Sequence, residues 1–479
     1  MTKRFPSGGR RRARRAAALF AAFALSLTVA CSADQILDVE DIDVASPESV
    51  SDPGALPAVL AGAVGDFSVA YNGGGDFNQI TVSGQLADEL YNTETFPTRI
   101  ENDQRRQQYQ SNGSLRDLFY ATQQARASAD RAAESYVRLE RATDVGLAEA
   151  LNLSALSYII LAENYCNAVP ISRLDDSGNF VYGPALTTTE LLNVAVQKAD
   201  SALANTTATG GTGAAAKRTE QARLARVVKA RALLDLNKPA EAAAAIGGEA
   251  GVPTTFQYIY KHSETTTRQN NGTWGVTVSV ARFGVPNREG TNGLPFQSEG
   301  DVAGTVKDPR IANVRRGGTG RGFDNSTIQY MQQKYAKRDT LAIIADGVEA
   351  RLIEAEAALR AGNAGGALNF LNALRSNAAL LSLRGYPANS LAPLALAATP
   401  AAQVDQLFKE RAYWLYLTSH RLGDLRRLIR QHGRTSESVF PTGIYHKSGT
   451  YGTDVNTPIP QAEDNNPNFD RAGCVTTEA

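Results

Sequence analysis

The residues best suited to acid–base chemistry are carboxylates, and the most obvious pair has the wrong spacing. The adjacent Asp88 and Glu89 have the residue types of a glycosidase acid and nucleophile. Adjacent side chains point to opposite faces of a strand, or diverge by about 100° on a helix, so these two cannot form such a pair by themselves. Carboxylates from distant segments could still pair, which keeps a surface glycoside hydrolase as an alternative.

Histidines and a glycine-rich loop give no stronger signal. No two histidines have the spacing of a metal-binding motif such as His-Glu-x-x-His. The loop "GGTGRG" at 317–322 looks like a phosphate loop, but it lacks the Lys-Ser/Thr ending and does not follow an apolar strand. We therefore expect no catalytic residue, no metal site and no cofactor. The four histidines are His262, His420, His432 and His446.

Aromatic and amide side chains in polar loops favour sugar binding over catalysis. Flat aromatic faces stack on the C–H groups of pyranose rings, while amides and carboxylates bind hydroxyl groups. Trp274 lies in the polar loop "QNNGTWG", where its alternative role is to pack that loop onto the scaffold; Trp414 is expected in the core. The candidate ligand-binding residues are Tyr71, Asp76, Phe77, Asn78, Tyr91, Phe96 and Trp274.

A helical stretch near the C-terminus carries charges at a spacing of three. Arg421, Asp424 and Arg427 can place the carboxylate between two guanidinium groups on one helix face. Arginine–carboxylate pairs are planar and directional, and they can fix a helix against its neighbours. Because no nucleophile or base accompanies them, we expect these residues, with His420 beside Arg421, to form a structural network.

The first thirty residues combine a basic start with an apolar run from Ala16 to Ala30. That run is shorter than the about 20 residues of a membrane-spanning helix, but it has the length of the apolar part of an export signal. The sequence "SLTVACSAD" around Cys31 resembles a bacterial lipoprotein signal, although Thr28 stands where such signals prefer Leu. We expect a signal peptide over 1–30, a lipid on Cys31 and a polar tether over 31–53; ordinary signal cleavage near an incidental cysteine is the alternative.

Removing this leader changes the charge balance. The chain has 49 basic and 49 acidic residues, and the leader contains seven of the basic and none of the acidic ones. The remaining 42 basic and 49 acidic residues give a net charge of −7, which argues against a nucleic-acid-binding protein. Cys166 and Cys474 could pair in an oxidising compartment, but two cysteines do not establish a disulfide, and their separation disfavours a zinc site.

Helical patterns in the sequence indicate the elements that would position these residues. Apolar residues recur every three or four positions over 143–166 and over 399–433, which predicts a helix in each segment. The segments 230–246 and 355–371 share an alanine-rich helix end, a turn with Asn and a second helix, and so resemble the helix pairs of tetratricopeptide repeats. In the Gly-, Thr- and Asn-rich insertion between them, "GTWGVTVSVARFG" (272–284) predicts a strand.

These patterns together predict one domain over 54–479. Its fold class is dominated by α-helix: a tetratricopeptide-like scaffold of helix pairs with large irregular insertions and a minor β component. The insertions are expected at about 71–115 and 247–335. Loops of this length are usually functional or disordered, which favours a binding protein.

Five segments of the chain form an ordered set of motifs. They are "GQLADELYNTETFPTR" (84–99), "AENYCNAVP" (162–170), "DGVEARLIEAEAALRAGNAGGALNFLNALR" (346–375), "FKERAYWLYLTSHRLGDLRRL" (408–428) and "FPTGIYHKSGTYGTDVNTPIPQAEDNNPN" (440–468). In sequence and in order, these segments resemble the SusD/RagB family. One departure is Thr418-Ser419, where the family more often has Glu-Gly.

This resemblance implies an outer-membrane lipoprotein, facing the cell surface, that sits over a TonB-dependent SusC-like barrel. Such a protein captures a nutrient, usually a glycan or oligosaccharide and in some members a peptide-derived one, and delivers it for import. Ligand contacts vary within the family, so the resemblance assigns none here. The main alternative is a tetratricopeptide-type envelope scaffold lipoprotein that binds proteins, against which the long aromatic insertions argue.

Overall fold

The computed structural model describes residues 52–75, 77–175, 179–302 and 305–479. The signal peptide, Cys31, most of the tether and Asp76 lie outside the described residues, so the expectations for them remain predictions. Pro53–Ala55 forms a 3-10 turn, and Leu56–Ala479 forms one compact unit.

Helices dominate this unit, as the sequence predicts. Long helices alternate with two stretches, before α4 and before α12, that carry only short elements. The helices are α1 (Leu56–Asn72), α2 (Gln79–Leu86), α3 (Pro97–Asp103), α4 (Gly113–Arg138), α5 (Val145–Asn164), α6 (Thr188–Thr207), α7 (Ala215–Asp235), α8 (Pro239–Ile246), α9 (Gly248–Gly251), α10 (Gly272–Trp274), α11 (Phe296–Gly300), α12 (Gly347–Arg360), α13 (Ala364–Ser376), α14 (Ala378–Leu383), α15 (Pro400–Trp414), α16 (Arg421–His432) and α17 (Ser436–Val439).

The strands of the described residues are short and form antiparallel pairs rather than one sheet. Most pairs fasten two loops to each other, and the longest joins the insertion to the start of α12. The pairs are β1 (Tyr91–Asn92) with β7 (Phe283–Gly284), β2 (Val169–Pro170) with β5 (Ala185–Leu186), β3 (Arg173–Leu174) with β4 (Phe180–Val181), β6 (Gln257–Tyr260) with β12 (Ala342–Asp346), β8 (Asp301–Val302) with β9 (Thr305–Val306) and β10 (Asn313–Arg315) with β11 (Tyr330–Gln332).

Helix α5 lies in the core and packs against α1, α4, α6 and α7. The apolar spacing predicts one buried face, but every residue of α5 except Leu151 is buried. Polar groups on the helix are therefore paired inside the protein: Asn152 Nδ2 donates to Gln221 Oε1 at 2.9 Å. By length and hydropathy, α5 and the segment Pro53–Asn72 also resemble membrane-spanning helices. In α5, 89% of the apolar window is buried, so its hydropathy reflects its position in the core. The corresponding value for Pro53–Asn72 is 28%.

The two segments that resemble tetratricopeptide repeats form helix pairs, α7–α8 and α12–α13, which confirms that prediction. The turns contain Asn237 at φ 60° and Gly362 at φ 79°, where a left-handed residue reverses the chain. Helix α8 packs on α12, and Arg360 Nη2 donates to Asn237 Oδ1 at 2.8 Å. The two pairs are therefore neighbours in the fold despite the long insertion between them.

The segment 399–433 forms two helices, not the single helix that its periodicity predicts. It breaks over 415–420, where Leu417 and Ser419 have φ values of 51° and 65°. The unwound carbonyl groups are satisfied by buried side chains: Tyr335 OH donates to Leu417 O at 2.9 Å and Tyr71 OH to Thr418 O at 2.9 Å. These tertiary hydrogen bonds compensate for the lost helical ones, a compensation that periodicity does not reveal.

The strand predicted over 272–284 is largely wrong. Residues 272–274 form α10 and 275–279 a π-helical turn, and only Phe283–Gly284 pairs as a strand. Asn271 Oδ1 accepts from Trp274 N at 2.9 Å and so starts the helical turn. This cap and the burial of neighbouring side chains outweigh the strand preference of the β-branched residues.

A disulfide joins Cys166, just after α5, to Cys474 near the C-terminus, with the two Cα atoms 5.0 Å apart. Beside it, Cys166 N donates to Thr457 O at 3.0 Å and Thr457 N to Asn164 O at 2.7 Å. The end of the core helix is thus fastened to the last segment of the chain.

Candidate functional site

The arginine network predicted on α16 exists, but its partners differ from the prediction. Asp424 accepts from Arg427 Nη2 at 2.7 Å and from Arg411 Nε and Nη2 at 2.9 and 2.8 Å. Arg421 instead donates to both oxygens of Asp88, at 2.6 and 2.9 Å. The prediction that Asp424 lies between Arg421 and Arg427 was therefore wrong for Arg421, which neutralises a second buried carboxylate.

Arg427 also contacts Glu356 and, through Nε at 3.2 Å, Asp235. We call Arg411, Arg427, Asp424 and Glu356 the arginine network; all four are buried. Burial alone would raise the pKa of Glu356, but Arg427 and His432 lower it to about 2. The network therefore keeps its carboxylates ionised inside the protein and joins α12, α15 and α16, which is a structural role.

The predicted acid–base and histidine candidates do not assemble into a catalytic group. Asp88 also accepts from Leu294 N at 2.9 Å, whereas Glu89 accepts from Leu417 N at 2.8 Å, and both carboxylates are buried. His420 Nε2 lies 3.2 Å from Glu349 Oε1, so its partner is a carboxylate outside the predicted Arg421–Asp424–Arg427 set. The other histidine contacts are His432 Nε2 to Glu356 Oε1 at 3.4 Å, His262 Nδ1 to Gln269 O at 3.2 Å and His446 Nε2 to Asn92 O at 2.7 Å.

Three candidate ligand residues lie in or against the core. Tyr71 is buried and donates to Ile343 O at 3.1 Å as well as to Thr418 O. Asn78 is buried and caps α2 by accepting from Thr81 N at 3.1 Å. Trp274 is half-buried against the core, with the Arg338 guanidinium 5.3 Å from its ring centre. These contacts give the three residues structural roles; Asp76, the fourth of this group, lies outside the described residues.

Phe77 and Phe96 belong to a row of alternating rings and guanidinium groups, which we call the aromatic–arginine stack. Arg99 Cζ lies 4.8 Å from the ring centre of Phe77 and 4.6 Å from that of Phe96. Arg282 Cζ lies 5.0 Å from the ring centre of Phe96 and 4.9 Å from that of Phe323. These are cation–π distances. Phe96 and Phe323 are 42% and 46% exposed, so the stack presents two apolar rings to solvent.

Glu94 fixes both arginines from the buried side of the stack. It accepts from Arg99 Nη1 at 2.8 and 2.7 Å and from Arg282 Nη1 at 2.9 Å. Burial raises the pKa of Glu94, and the two guanidinium groups oppose that shift. Because both guanidinium groups donate charged hydrogen bonds to Glu94, the arginines that contact the exposed rings are fixed in position.

Backbone hydrogen bonds bring the three segments of the stack together. Thr93 N donates to Arg282 O at 2.8 Å, and Phe323 N donates to Ala281 O at 2.8 Å. A Cβ on Gly322 would overlap Thr93, so this close approach requires glycine. Pro97 opens α3 directly after Phe96 and fixes the direction in which the helix leaves the stack.

Tyr91 lies next to the stack, but its hydroxyl is already used. The hydroxyl donates to Ile328 O, and a Cβ on Gly284 would overlap the ring. The ring centre of Tyr91 is 5.2 Å from that of His446. Tyr91 is half-buried between Gly284 and His446, so it supports the surface beside the stack and does not offer a free ring or hydroxyl to a ligand.

A separate groove opens between the start of α4 and the C-terminal segment. Its volume is about 480 Å³, which falls within the about 300–1,000 Å³ of small-molecule sites. Asn112 in this groove caps α4 and donates to Thr98 O at 2.6 Å, while Tyr120 is 45% exposed. The lining includes Tyr109, Gln110, Asn112, Tyr120, Gln461 and Asn465.

No family model and no curated protein matches the sequence. Solved structures do: surface glycan-binding protein A from Bacteroides uniformis aligns over 88% of this chain and 99% of its own, with a TM-score of 0.62 and 15% identity. A SusD/RagB family protein from Bacteroides thetaiotaomicron aligns over 87% and 95%, with a TM-score of 0.59 and 14% identity. A laminarin-binding SusD-like protein aligns over 88% and 98%, with a TM-score of 0.58 and 15% identity. The chain has the SusD-like fold.

The sequence segments that resemble SusD/RagB proteins contact one another inside this SusD-like fold. Asp88 in the first segment binds Arg421 in the fourth. Arg426 Nη1 donates to Ala162 O and Glu163 O at 2.9 and 2.6 Å, which joins the second segment to the fourth. The motifs therefore predict contacts that hold the SusD-like scaffold together, and they give no information about a ligand.

Sequence reasoning missed three of the five members of the aromatic–arginine stack. Phe323 occurs in "GRGFDNS", with the same glycine and aspartate neighbours that drew attention to Phe77, so a signal was present. Arg99 lies inside a family-like segment but has no feature that marks it. Arg282 has no local signal, because its partner Glu94 is 188 residues away.

Proposed function

We propose that this chain is a surface lipoprotein of the SusD/RagB family that binds a glycan or oligosaccharide and delivers it to a TonB-dependent SusC-like barrel. The observation that carries the proposal is the exposed pair Phe96 and Phe323 on a fixed base, in a SusD-like fold. Two structural neighbours are named for glycan or laminarin binding, which supports a carbohydrate as the ligand.

The aromatic–arginine stack has the chemistry that a sugar ring needs. Exposed phenylalanine rings offer apolar surface to the C–H groups of a pyranose, and the fixed base lowers the entropy lost on binding. Asn325 and Ser326, both exposed, lie two and three residues after Phe323 and can bind hydroxyl groups. The proposed mechanism is reversible binding without covalent chemistry, followed by transfer to the barrel.

Anchoring and partnership rest on the sequence. A lipid on Cys31 would tether the protein beside the barrel and keep captured ligand concentrated near the pore, so modest affinity would suffice. The test is to tag the full-length protein, solubilise native membranes gently and identify what co-purifies. Recovery of a large TonB-dependent barrel, reduced by Cys31→Ala, is expected; recovery of envelope assembly factors without a barrel would favour the scaffold alternative.

The glycan site is tested by calorimetry with an oligosaccharide panel and three phenylalanine variants. Phe96→Ala and Phe323→Ala are each expected to weaken binding at least about fivefold, the loss typical of a central interface residue. Phe180→Ala is the matched control, because Phe180 is 59% exposed but packs on Tyr182 outside the stack. It should leave affinity unchanged.

The groove between α4 and the C-terminal segment is the alternative location for the glycan site. Tyr120→Ala removes an exposed ring from the groove without touching the stack. Loss of binding in Tyr120→Ala, with Phe96→Ala and Phe323→Ala unaffected, would move the site to the groove. Binding of no oligosaccharide, or turnover of one, would contradict the proposal itself.

A further inference from the structure

Asp103, Glu289 and His446 meet at the opposite end of α3 from Phe96. Each residue has one atom of a type that can bind a metal ion, and these three atoms all lie within 4.8 Å of one another. Asp103 is fully buried, Glu289 is 5% exposed and His446 is exposed. We call these three residues the acid–imidazole cluster; the proposed glycan binding does not use it.

Hydrogen-bond donors of the surrounding residues reach only one oxygen of each carboxyl group in the cluster. Asp103 Oδ2 accepts from Tyr445 OH at 2.6 Å and from Asn92 N at 3.0 Å. Glu289 Oε1 accepts from Tyr451 OH at 2.9 Å. The other oxygens, Asp103 Oδ1 and Glu289 Oε2, are buried and accept no hydrogen bond from a donor group among the described residues. The two carboxyl groups interact directly with each other and can share a proton when no cation is bound.

Buried carboxylates normally have a cationic partner, because an unpaired buried charge is costly. In the part of the chain that the structure describes, neither Asp103 nor Glu289 forms an ion pair with a lysine or arginine. The two unpartnered oxygens belong to carboxylates held within ligand distance of each other and of an imidazole. The imidazole of His446 is the neighbouring group that can carry a positive charge, and no lysine or arginine of the described chain pairs with either acid. A metal ion held by all three residues would therefore compensate the two buried carboxylates.

The surrounding hydrogen bonds match those found around metal ligands. Metal-binding histidines usually donate their second ring N–H to a backbone carbonyl, and ligating carboxylates accept further hydrogen bonds from outside the metal shell. His446 Nε2 lies 2.7 Å from Asn92 O, so a neutral ring keeps a lone pair on its other nitrogen. Tyr445 and Tyr451 orient the two carboxylates in the same way.

We propose that Asp103, Glu289 and His446 bind a divalent transition-metal ion. Two carboxylate oxygens and one imidazole nitrogen suit Zn²⁺ or Mn²⁺, whereas Ca²⁺ and Mg²⁺ prefer ligand sets made only of oxygen. The exposure of His446 gives the ion a path from solvent and leaves room for water at the remaining coordination positions.

The ion would tie together three segments that are distant in the sequence. Glu289 sits in a tight turn between Arg288 at φ 61° and Gly290 at φ 56°. Thr291 N donates to Thr442 O at 3.0 Å, which fastens this turn to the C-terminal segment. Because α3 begins beside Phe96 and ends at Asp103, the ion would hold the scaffold beneath the aromatic–arginine stack.

The test uses the full chain without its predicted signal peptide, treated with a chelator and then titrated with Zn²⁺, Mn²⁺ or Ca²⁺ alone. Calorimetry should show one Zn²⁺ or Mn²⁺ per chain, and thermal unfolding should shift upward on binding. Glu289→Gln and His446→Ala should each weaken binding at least about tenfold. Glu289→Gln keeps an acceptor for Tyr451, and His446 is exposed, so both variants are expected to fold.

Asp405→Asn is the control, because it removes an exposed carboxylate far from the cluster in sequence and should leave the affinity unchanged. Failure to bind Zn²⁺ or Mn²⁺ at one equivalent would overturn the proposal. Equal affinity in the wild type and both variants would also overturn it. No glycan is present in the titration, so its outcome is independent of the proposed function.

Discussion

Two regions of this molecule bury carboxylates in opposite ways. In the arginine network, guanidinium groups surround the carboxylates, and the pKa of Glu356 falls to about 2 in spite of its burial. In the acid–imidazole cluster, burial raises the pKa of Asp103, and burial with the neighbouring Asp103 raises that of Glu289 well above its usual range. Since the acids of both regions are buried, the charged groups around a buried carboxyl group decide whether it is ionised.

The difference follows from the elements that carry the residues. The arginine network lies on α12, α15 and α16, whose regular spacing aims several side chains at one point. The acid–imidazole cluster is assembled from the end of a short helix, a tight turn and a C-terminal loop. Ionising a buried acid that has no lysine or arginine partner is costly, and groups with perturbed pKa values concentrate at functional sites.

The largest effect should come from removing the cation that unites the arginine network. Arg427→Met keeps much of the volume but leaves Asp424 and Glu356 with fewer positive partners in a buried place. Breaking a buried ion pair from one side costs about 3–5 kcal/mol, and urea unfolding should show a loss of this size. A loss below about 1 kcal/mol would mean that Arg411 alone neutralises both carboxylates.

The dipeptide Asp88-Glu89 repeats the same contrast between adjacent residues. Arg421 pairs with Asp88, whereas burial, assisted by Asp88, raises the pKa of Glu89 from 4.5 to about 8. Because the pKa of Glu89 is higher in the folded than in the unfolded protein, this group's contribution to stability is fully present below about pH 4.5, the unfolded pKa. The contribution is lost as the pH rises through the folded pKa of about 8.

We therefore predict that the stability of the wild type falls relative to Glu89→Gln by about 2–4 kcal/mol between about pH 5 and pH 8. The amide has no charge to bury, so the variant lacks this pH dependence. Chemical unfolding at several pH values measures the difference. Parallel pH profiles for the two proteins would show that Glu89 is ionised in the folded state.

Removing one carboxyl group from each region should change the free energy of unfolding by different amounts. Glu356→Gln deprives Arg427 of a charged partner and should destabilise the protein by about 2 kcal/mol. Glu289→Gln removes a buried acid without a cationic partner and should leave stability at pH 7 within about 1 kcal/mol of the wild type, or above it. Both are measured by urea unfolding with chelator present; equal losses would show that the two regions do not differ.

The sequence predicts the scaffold better than the sites, for a physical reason. Helix periodicity and the paired segments around 237 and 362 are local patterns, and the structure confirms the helix pairs that they predict. The break at Leu417 and the helical turn at Trp274 depend on buried partners from distant segments, which no local pattern contains. Tertiary hydrogen bonds outweighed local preference at both positions.

The candidate site shows the same limit. Phe77 stands out by the composition of its glycine-rich loop, whereas Tyr91 and Phe96 stand out because they follow Asp88-Glu89 in a family-like segment. The structure places Phe77 and Phe96 in the aromatic–arginine stack and Tyr91 beside it. Tyr71, Asn78 and Trp274 have the same composition signal but serve as a core residue, a helix cap and a packing residue. Only the three-dimensional path of the chain separates these roles, because exposure cannot be read from an aromatic residue's neighbours in the sequence.

The smallest effect should come from an ion pair that water already solvates. Arg434 Nη2 lies 2.6 Å from Asp405 Oδ1, closer than most contacts in the arginine network, but the two side chains are 27% and 66% exposed. Solvent screening reduces such pairs to about 0–1 kcal/mol, so Arg434→Ala should change stability by less than about 0.5 kcal/mol. A double-mutant cycle with Asp405→Ala, at low and at high salt, measures the coupling. A coupling comparable to that of Arg427 would mean that distance, rather than the absence of water, sets the strength of ion pairs in this protein.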